Sequence, residues 1–287
     1  MRTLVGNGPV VRTVKLLVAS AESWIDDRVI RLGAAVAYYS LFALIPVLFL
    51  AIALASIFFG QDQVSSDVEA LISDLLGEDI AGAIIGALEQ LQLGGQGAIV
   101  SLIALGALLF TATLLFVAWK DIVDIIWGAP RVGGARGTIQ RRLFGVLAVF
   151  GAGALLTLTL IAEAIMGMLD RVFGSPLADI LIKTTGSLIP LALGVLFLAI
   201  LYKYTPEDQV AWRSVWLPSI VAMIMLSVGA WAYGLYMAVY AFSSAVGAAG
   251  SVFFGLVFVY YASQILLYGV EIMKEQQKML DSPEADS

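Results

Sequence analysis

From Gly33 to Phe59 the chain runs GAAVAYYSLFALIPVLFLAIALASIFF without one charged residue. At about 27 residues, this stretch exceeds the roughly 20 that a helix needs to cross a bilayer core. Tyr38, Tyr39 and Pro46 interrupt it. Further apolar runs follow at about Gly97–Ala118, Leu143–Leu169, Thr184–Tyr202 and Ser214–Phe242. A last one follows the small-residue connection Ser243–Gly250 and ends near Val270. The pattern predicts an all-α polytopic membrane protein with six transmembrane helices.

Two segments carry a shorter period. In residues 1–32, Val10, Val14, Leu17, Val18, Ala21 and Ile25 recur at helical spacing. This predicts an amphipathic helix, lying either on the membrane surface or against the protein's own end. Residues 60–96 hold Asp62, Asp67, Glu69, Asp74, Glu78, Asp79 and Glu89 but no Lys or Arg. Val64, Val68, Leu71, Ile72 and Leu75, then Ile80, Ile84, Leu88 and Leu91, give two short amphipathic helices on the outer face. Their carboxylates read as a solvated surface rather than a cation site. The expected organisation is one membrane domain over 1–275, followed by a disordered cytoplasmic tail over 276–287; the polar stretch from Glu271 on is expected to be helical before it becomes disordered.

Charge fixes the direction of the spans. With the N-terminus inside, 14 of the 16 Lys and Arg residues fall on the cytoplasmic side, leaving only Arg171 and Lys183 outside. This asymmetry follows the positive-inside rule and places both termini in the cytoplasm. Composition agrees: 60% of residues are hydrophobic and 13% charged, against about 25% charged in soluble domains.

The chemistry open to such a chain is narrow. There is no cysteine and no histidine, which removes disulfides, thiolate nucleophiles, His general bases and the usual zinc sites. No Gly-Lys pair exists, so no P-loop can bind ATP. A net charge of −6 argues against a nucleic-acid partner. We therefore expect no enzyme, cofactor or metal.

A few polar groups sit inside the spans. Glu163 lies in the third, nearer its outer end, where a carboxylate needs a cavity, a partner or a proton. Tyr260 and Gln264 are four apart and share one face of the sixth. A glutamine at that depth either joins helices or lines a wet path. Pro46, Pro190 and Pro218 can each kink or end a helix. Gly247, Gly250, Ser251 and Gly255 form a small-residue stripe suited to close helix packing.

Three stretches carry a family resemblance: AAVAYYSLFALIP (34–46), YKYTPEDQVAWR (202–213) and VGAAGSVFFGLVFVYYASQILLYGVE (246–271). Order and spacing over roughly residues 20–275 resemble the YihY/BrkB family of bacterial inner-membrane proteins. Its members were historically labelled ribonuclease BN, and some are described as serum-resistance or virulence factors. The resemblance implies a six-helix inner-membrane protein, often suspected of transporting lipids or lipid-like molecules. The resulting expectation is a transporter or flippase, not ATP-driven, whose partners are membrane lipids and a lipid-like substrate. Tyr38, Tyr39, Pro46, Glu163, Tyr260, Gln264 and Glu271 are the expected substrate path, with Gln264 at a depth where it meets Tyr38 and Tyr39. The alternative is an assembly protein that binds partners through its outer acidic helices.

Overall fold

A computed structural model of the chain describes residues 9–59, 98–129, 134–173, 176–207, 210–240 and 247–281, with isolated residues at 73, 82 and 86. The outer acidic segment thus falls outside the described residues apart from those three positions. So do the side chains of Pro46, Gly247, Gly250 and Ser251.

Among the described residues there are seven long helices: α1 (Pro9–Asp26), α2 (Val29–Phe59), α3 (Ala98–Trp127), α4 (Gly134–Phe173), α5 (Pro176–Tyr204), α6 (Trp212–Tyr240) and α7 (Gly247–Asp281). Their ends follow local chemistry. Prolines open α1 and α5, where the missing N–H is one the helix could not bond anyway. Arg28 adopts the left-handed region (φ 53°) and turns the chain sharply from α1 into α2. Gly128 (φ 66°) ends α3. Its N–H reaches the Ile125 carbonyl (3.1 Å) and the Ala129 N–H reaches that of Asp124 (2.9 Å), the double closure that favours glycine at this position. Pro206 prevents α5 from continuing.

Helices α2 to α7 pack in chain order, each on the next, and α7 closes back onto α2. Helix α2 also reaches α4, and α1 lies on α7. The outer surface of this bundle is apolar: Phe110, Leu147, Leu158, Ile224, Trp231 and Phe253 are all exposed. So large an exposed apolar surface is the signature of contact with lipid. Ile139–Leu169, Trp212–Tyr236 and Phe253–Asp281 are each long and apolar enough to cross a membrane, and Val29–Ala43 and Leu188–Tyr204 are shorter apolar helices.

The best-buried side chains collect at the end of the bundle where α3 and α5 finish and α6 begins. Trp119, Val123, Tyr202, Val215, Leu267, Val270 and Met273 form its centre. Here the helices outrun their apolar stretches, so Lys120, Asp124 and Glu271 are carried on rigid helix rather than on loops. Helix α7 continues to Asp281, into the polar segment beyond residue 275 that was expected to be helical at first. The reason is docking. Gln277 Oε1 accepts from Ser214 Oγ (2.9 Å) and the Ala211 N–H (3.2 Å), and Gln276 Nε2 donates to the Arg213 carbonyl (3.0 Å).

Helix α1 settles one open choice from the sequence. It is docked on α7: Leu16 and Ser20 are buried, and Tyr268 donates to the Leu17 carbonyl (2.9 Å). Val14, Val18 and Ile25 remain exposed on another face.

Candidate functional site

The charged end is built around the corner after α5. Thr205 Oγ1 donates to the Leu201 carbonyl (2.6 Å) and accepts from Trp119 Nε1 (3.1 Å). The Thr205 carbonyl accepts from Lys120 Nζ (2.8 Å). Lys120, 4% exposed, also faces Asp124 at 3.5 Å and Glu207 at 3.9 Å. Asp124 in turn stands 4.0 Å from Arg141, which holds Asp121 at 2.9 Å. Burial raises the Asp124 carboxyl above its usual range, against the opposing pull of Lys120.

A pocket of about 240 Å³ opens beside this network, lined by Lys120, Gln140, Phe144, Tyr204, Pro206 and Glu207. It adjoins an apolar groove of about 430 Å³ between α4 and α5. One wall is a helical stripe of Phe144, Leu147, Gly151, Leu155 and Leu158; the other is Leu193, Leu196, Ile200 and Tyr204. Phe144 and Tyr204 line both spaces, so the groove and the charged pocket are neighbours that share these two side chains. Gly151 deepens the floor, because a Cβ added there meets only Phe197 Cε2, at 3.5 Å. Beside the junction, Tyr204, Trp212 and Trp216 are exposed. Aromatic residues of this kind concentrate at the level of lipid headgroups.

The residues expected to form a substrate path are distributed differently. Tyr38 is exposed, in edge contact with Tyr39 (5.5 Å) and Phe42 (5.0 Å). Glu163 is also exposed, on α4. Tyr260 and Gln264 do come together: the Tyr260 hydroxyl and Gln264 Nε2 each donate to the Ile30 carbonyl at 3.2 Å. Gln264 therefore meets the foot of α2 below the tyrosine pair. It lies over Gly33, where an added Cβ would come within 2.1 Å of its Nε2. This geometry joins α2 to α7. Of the small-residue stripe, Gly255 is buried in α7, and the other three side chains are not described.

Glu271, just past the apolar run of α7, is fully buried. It lies 3.3 Å from Lys274, which also pairs with Asp27 at the end of α1. Two carboxylates thus share one ammonium. Burial pushes the Glu271 carboxyl up to about 7, and the Asp27 charge adds to the effect that Lys274 opposes. Burial lowers the Lys274 ammonium, but Asp27 and Glu271 together outweigh it and raise it. The folded chain therefore holds the Glu271 proton more tightly than the unfolded chain does. That contribution is complete below about pH 4.5 and is lost as pH rises through about 7. In detergent, the melting temperature is expected to fall across this window for wild type, with a shallower fall for Glu271→Gln. Equal slopes would show that Glu271 does not hold the proton.

Lys120, Asp124, Arg141 and Glu207 were not among the site residues expected from the sequence. The available signal was the continuation of apolar residues through Ile122, Val123 and Ile126 beyond Lys120, which places that lysine inside a packed helix.

Comparison with known proteins places this architecture. The sequence profile described as "Virulence factor BrkB" matches residues 20–286. The chain belongs to the BrkB family. A UPF0761 membrane protein of Stenotrophomonas maltophilia is 26% identical over 226 residues, covering 75% of this chain and 49% of its own length. One from Ralstonia nicotianae is 25% identical over 250 residues, with coverages of 86% and 55%. One from Xanthomonas campestris is 24% identical over 276 residues, with coverages of 91% and 60%. This BrkB-family chain thus spans 49–60% of the length of these relatives. No solved structure matches. Together with the apolar exterior, the family assignment identifies an integral membrane protein.

Proposed function

We propose that this BrkB-family protein is a six-span inner-membrane carrier or flippase for an amphiphile, working without ATP hydrolysis. The observation that carries the reading is that the α4–α5 groove lies next to the charged pocket, with Phe144 and Tyr204 lining both. An amphiphile has the same two parts in the same order. Its chain gains from apolar walls in place of water, and its polar head needs hydrogen-bonding partners. The distribution of basic residues supports a charged end facing the cytoplasm, with substrate entering from the cytoplasmic leaflet between α4 and α5. The exposed Tyr204 and tryptophans support a pocket at headgroup depth.

The test is reconstitution. Liposomes carrying the purified protein are loaded with a fluorescent phospholipid, and an impermeant quencher added outside reports which leaflet holds the label. Protein-free liposomes keep about half of the signal; active proteoliposomes are expected to lose most of it. Loss no greater than in empty liposomes, for phospholipids and single-chain amphiphiles alike, would overturn the proposal.

A further inference from the structure

The geometry points to a zwitterionic headgroup carrying a phosphate and a primary ammonium, that of an aminophospholipid, as the occupant of the pocket between Lys120 and Glu207. This deepens the carrier reading and rests on it for the source of the ligand. Three observations set the chemistry.

First, the pocket presents both signs. Lys120 Nζ, nine-tenths buried, sits in the wall, and Glu207 stands 3.9 Å away, beyond hydrogen-bond reach. The ammonium is anchored by the Thr205 carbonyl at 2.8 Å, and at 3.9 Å it makes an ion pair but no hydrogen bond with Glu207. A phosphate oxygen fits on the Lys120 and Gln140 side, and a substrate ammonium on the Glu207 side. Charge-assisted contacts of this type are the strong ones.

Second, a purely anionic head is disfavoured. Lys120 is flanked by Asp124 as well as Glu207, so an added negative charge without its own cation meets two carboxylates around one ammonium. Arg141 is already engaged by Asp121 at 2.9 Å. A head that brings one charge of each sign leaves the local balance unchanged.

Third, the ammonium must be able to donate. The Glu207 carboxylate oxygens, on the side given to the ammonium, are acceptors. A quaternary ammonium has no N–H to give them and is instead recognised by a cage of aromatic faces. Among the described residues, Tyr204 and Phe144 are the aromatics lining the pocket, and both also wall the chain groove.

The experiment measures binding without movement. Purified protein in detergent micelles is melted with added phosphatidylethanolamine, phosphatidylcholine or phosphatidylglycerol. Phosphatidylethanolamine is expected to raise the melting temperature by about 3 °C or more beyond either of the others, since a ligand bound only to the folded state stabilises it by mass action. Glu207→Gln, which leaves Lys120 paired with Asp124, is expected to abolish this preference, and Gln140→Leu, at an exposed position, to reduce it. Equal or larger shifts with phosphatidylglycerol, or a preference that survives both substitutions, would overturn the inference. Failure of the carrier reading looks different. An ethanolamine preference lost in Glu207→Gln, with no lipid movement in liposomes, leaves the headgroup site standing and removes transport. Movement of all lipids with no preference does the reverse.

Discussion

Lys120→Met is expected to lower the stability of the protein by about 3–5 kcal/mol, the cost of leaving one member of a buried ion pair without its partner. The lysine is the hub of the corner. Removing it strips the donor from the Thr205 carbonyl, and leaves the Asp124 carboxylate, whose side chain is 3% exposed, with Arg141 at 4.0 Å as its nearest cation. The loss should be partly recovered by adding Asp124→Leu. That double variant replaces the pair with apolar side chains, and Arg141 keeps Asp121 at 2.9 Å. Thermal unfolding in detergent across the wild type, the two single variants and the double variant forms a cycle whose coupling term isolates the pair. Strict additivity would mean that Lys120 and Asp124 do not support one another.

The second large effect is expected at Gly269. A Cβ there would stand 2.2 Å from the Tyr202 hydroxyl oxygen and 2.8 Å from its Cζ, inside any real carbon contact. Tyr202 cannot step aside. It is fully buried, stacks on Trp119 at 6.3 Å between centroids, and donates to the Leu266 carbonyl at 2.9 Å. Overpacking a rigid site of this kind costs about 1–3 kcal/mol for a small group and more for a large one. Gly269→Ala should therefore melt well below the wild type, and Gly269→Leu should fail to yield folded protein. Combining Gly269→Ala with Tyr202→Phe removes the nearest atom but not the ring carbon, so only part of the stability should return. A melting temperature for Gly269→Ala at or above the wild-type value would contradict this packing.

These residues also mark how far the sequence could be read. The helices were legible because a bilayer leaves few alternatives to long uncharged helical runs, and the family was legible from motifs such as Tyr202–Arg213. Polar residues within those runs were the natural candidates for a site, and two of them, Tyr260 and Gln264, do share a partner, the Ile30 carbonyl. What hydropathy could not supply was which helices meet. Gln264 falls over Gly33 rather than beside Tyr38, because α7 crosses the foot of α2. The groove is equally invisible to hydropathy. Its walls are ordinary leucines at helical spacing, and only the placement of α4 against α5 leaves a gap above Gly151. The charged pocket is split among positions 120, 140 and 207 on separate elements, each of which resembles an ordinary polar residue flanking a span when read alone. Glu271 was expected on a substrate path; it is buried between Lys274 and α1, with Asp27 sharing the same ammonium.

A carrier that moves its amphiphile along the α4–α5 groove should fail when that groove is filled at Gly151. A leucine there projects into the gap with a single ordinary contact at its Cβ and improves the helix propensity of the position, so the protein should fold. The measurement is the rate of labelled-phospholipid exchange between leaflets in proteoliposomes, for the wild type and for Gly151→Leu at matched protein content. Exchange well above that of protein-free liposomes is expected for the wild type, and a loss of at least about tenfold in the variant, equivalent to about 1.4 kcal/mol. Exchange by Gly151→Leu at the wild-type rate would contradict it.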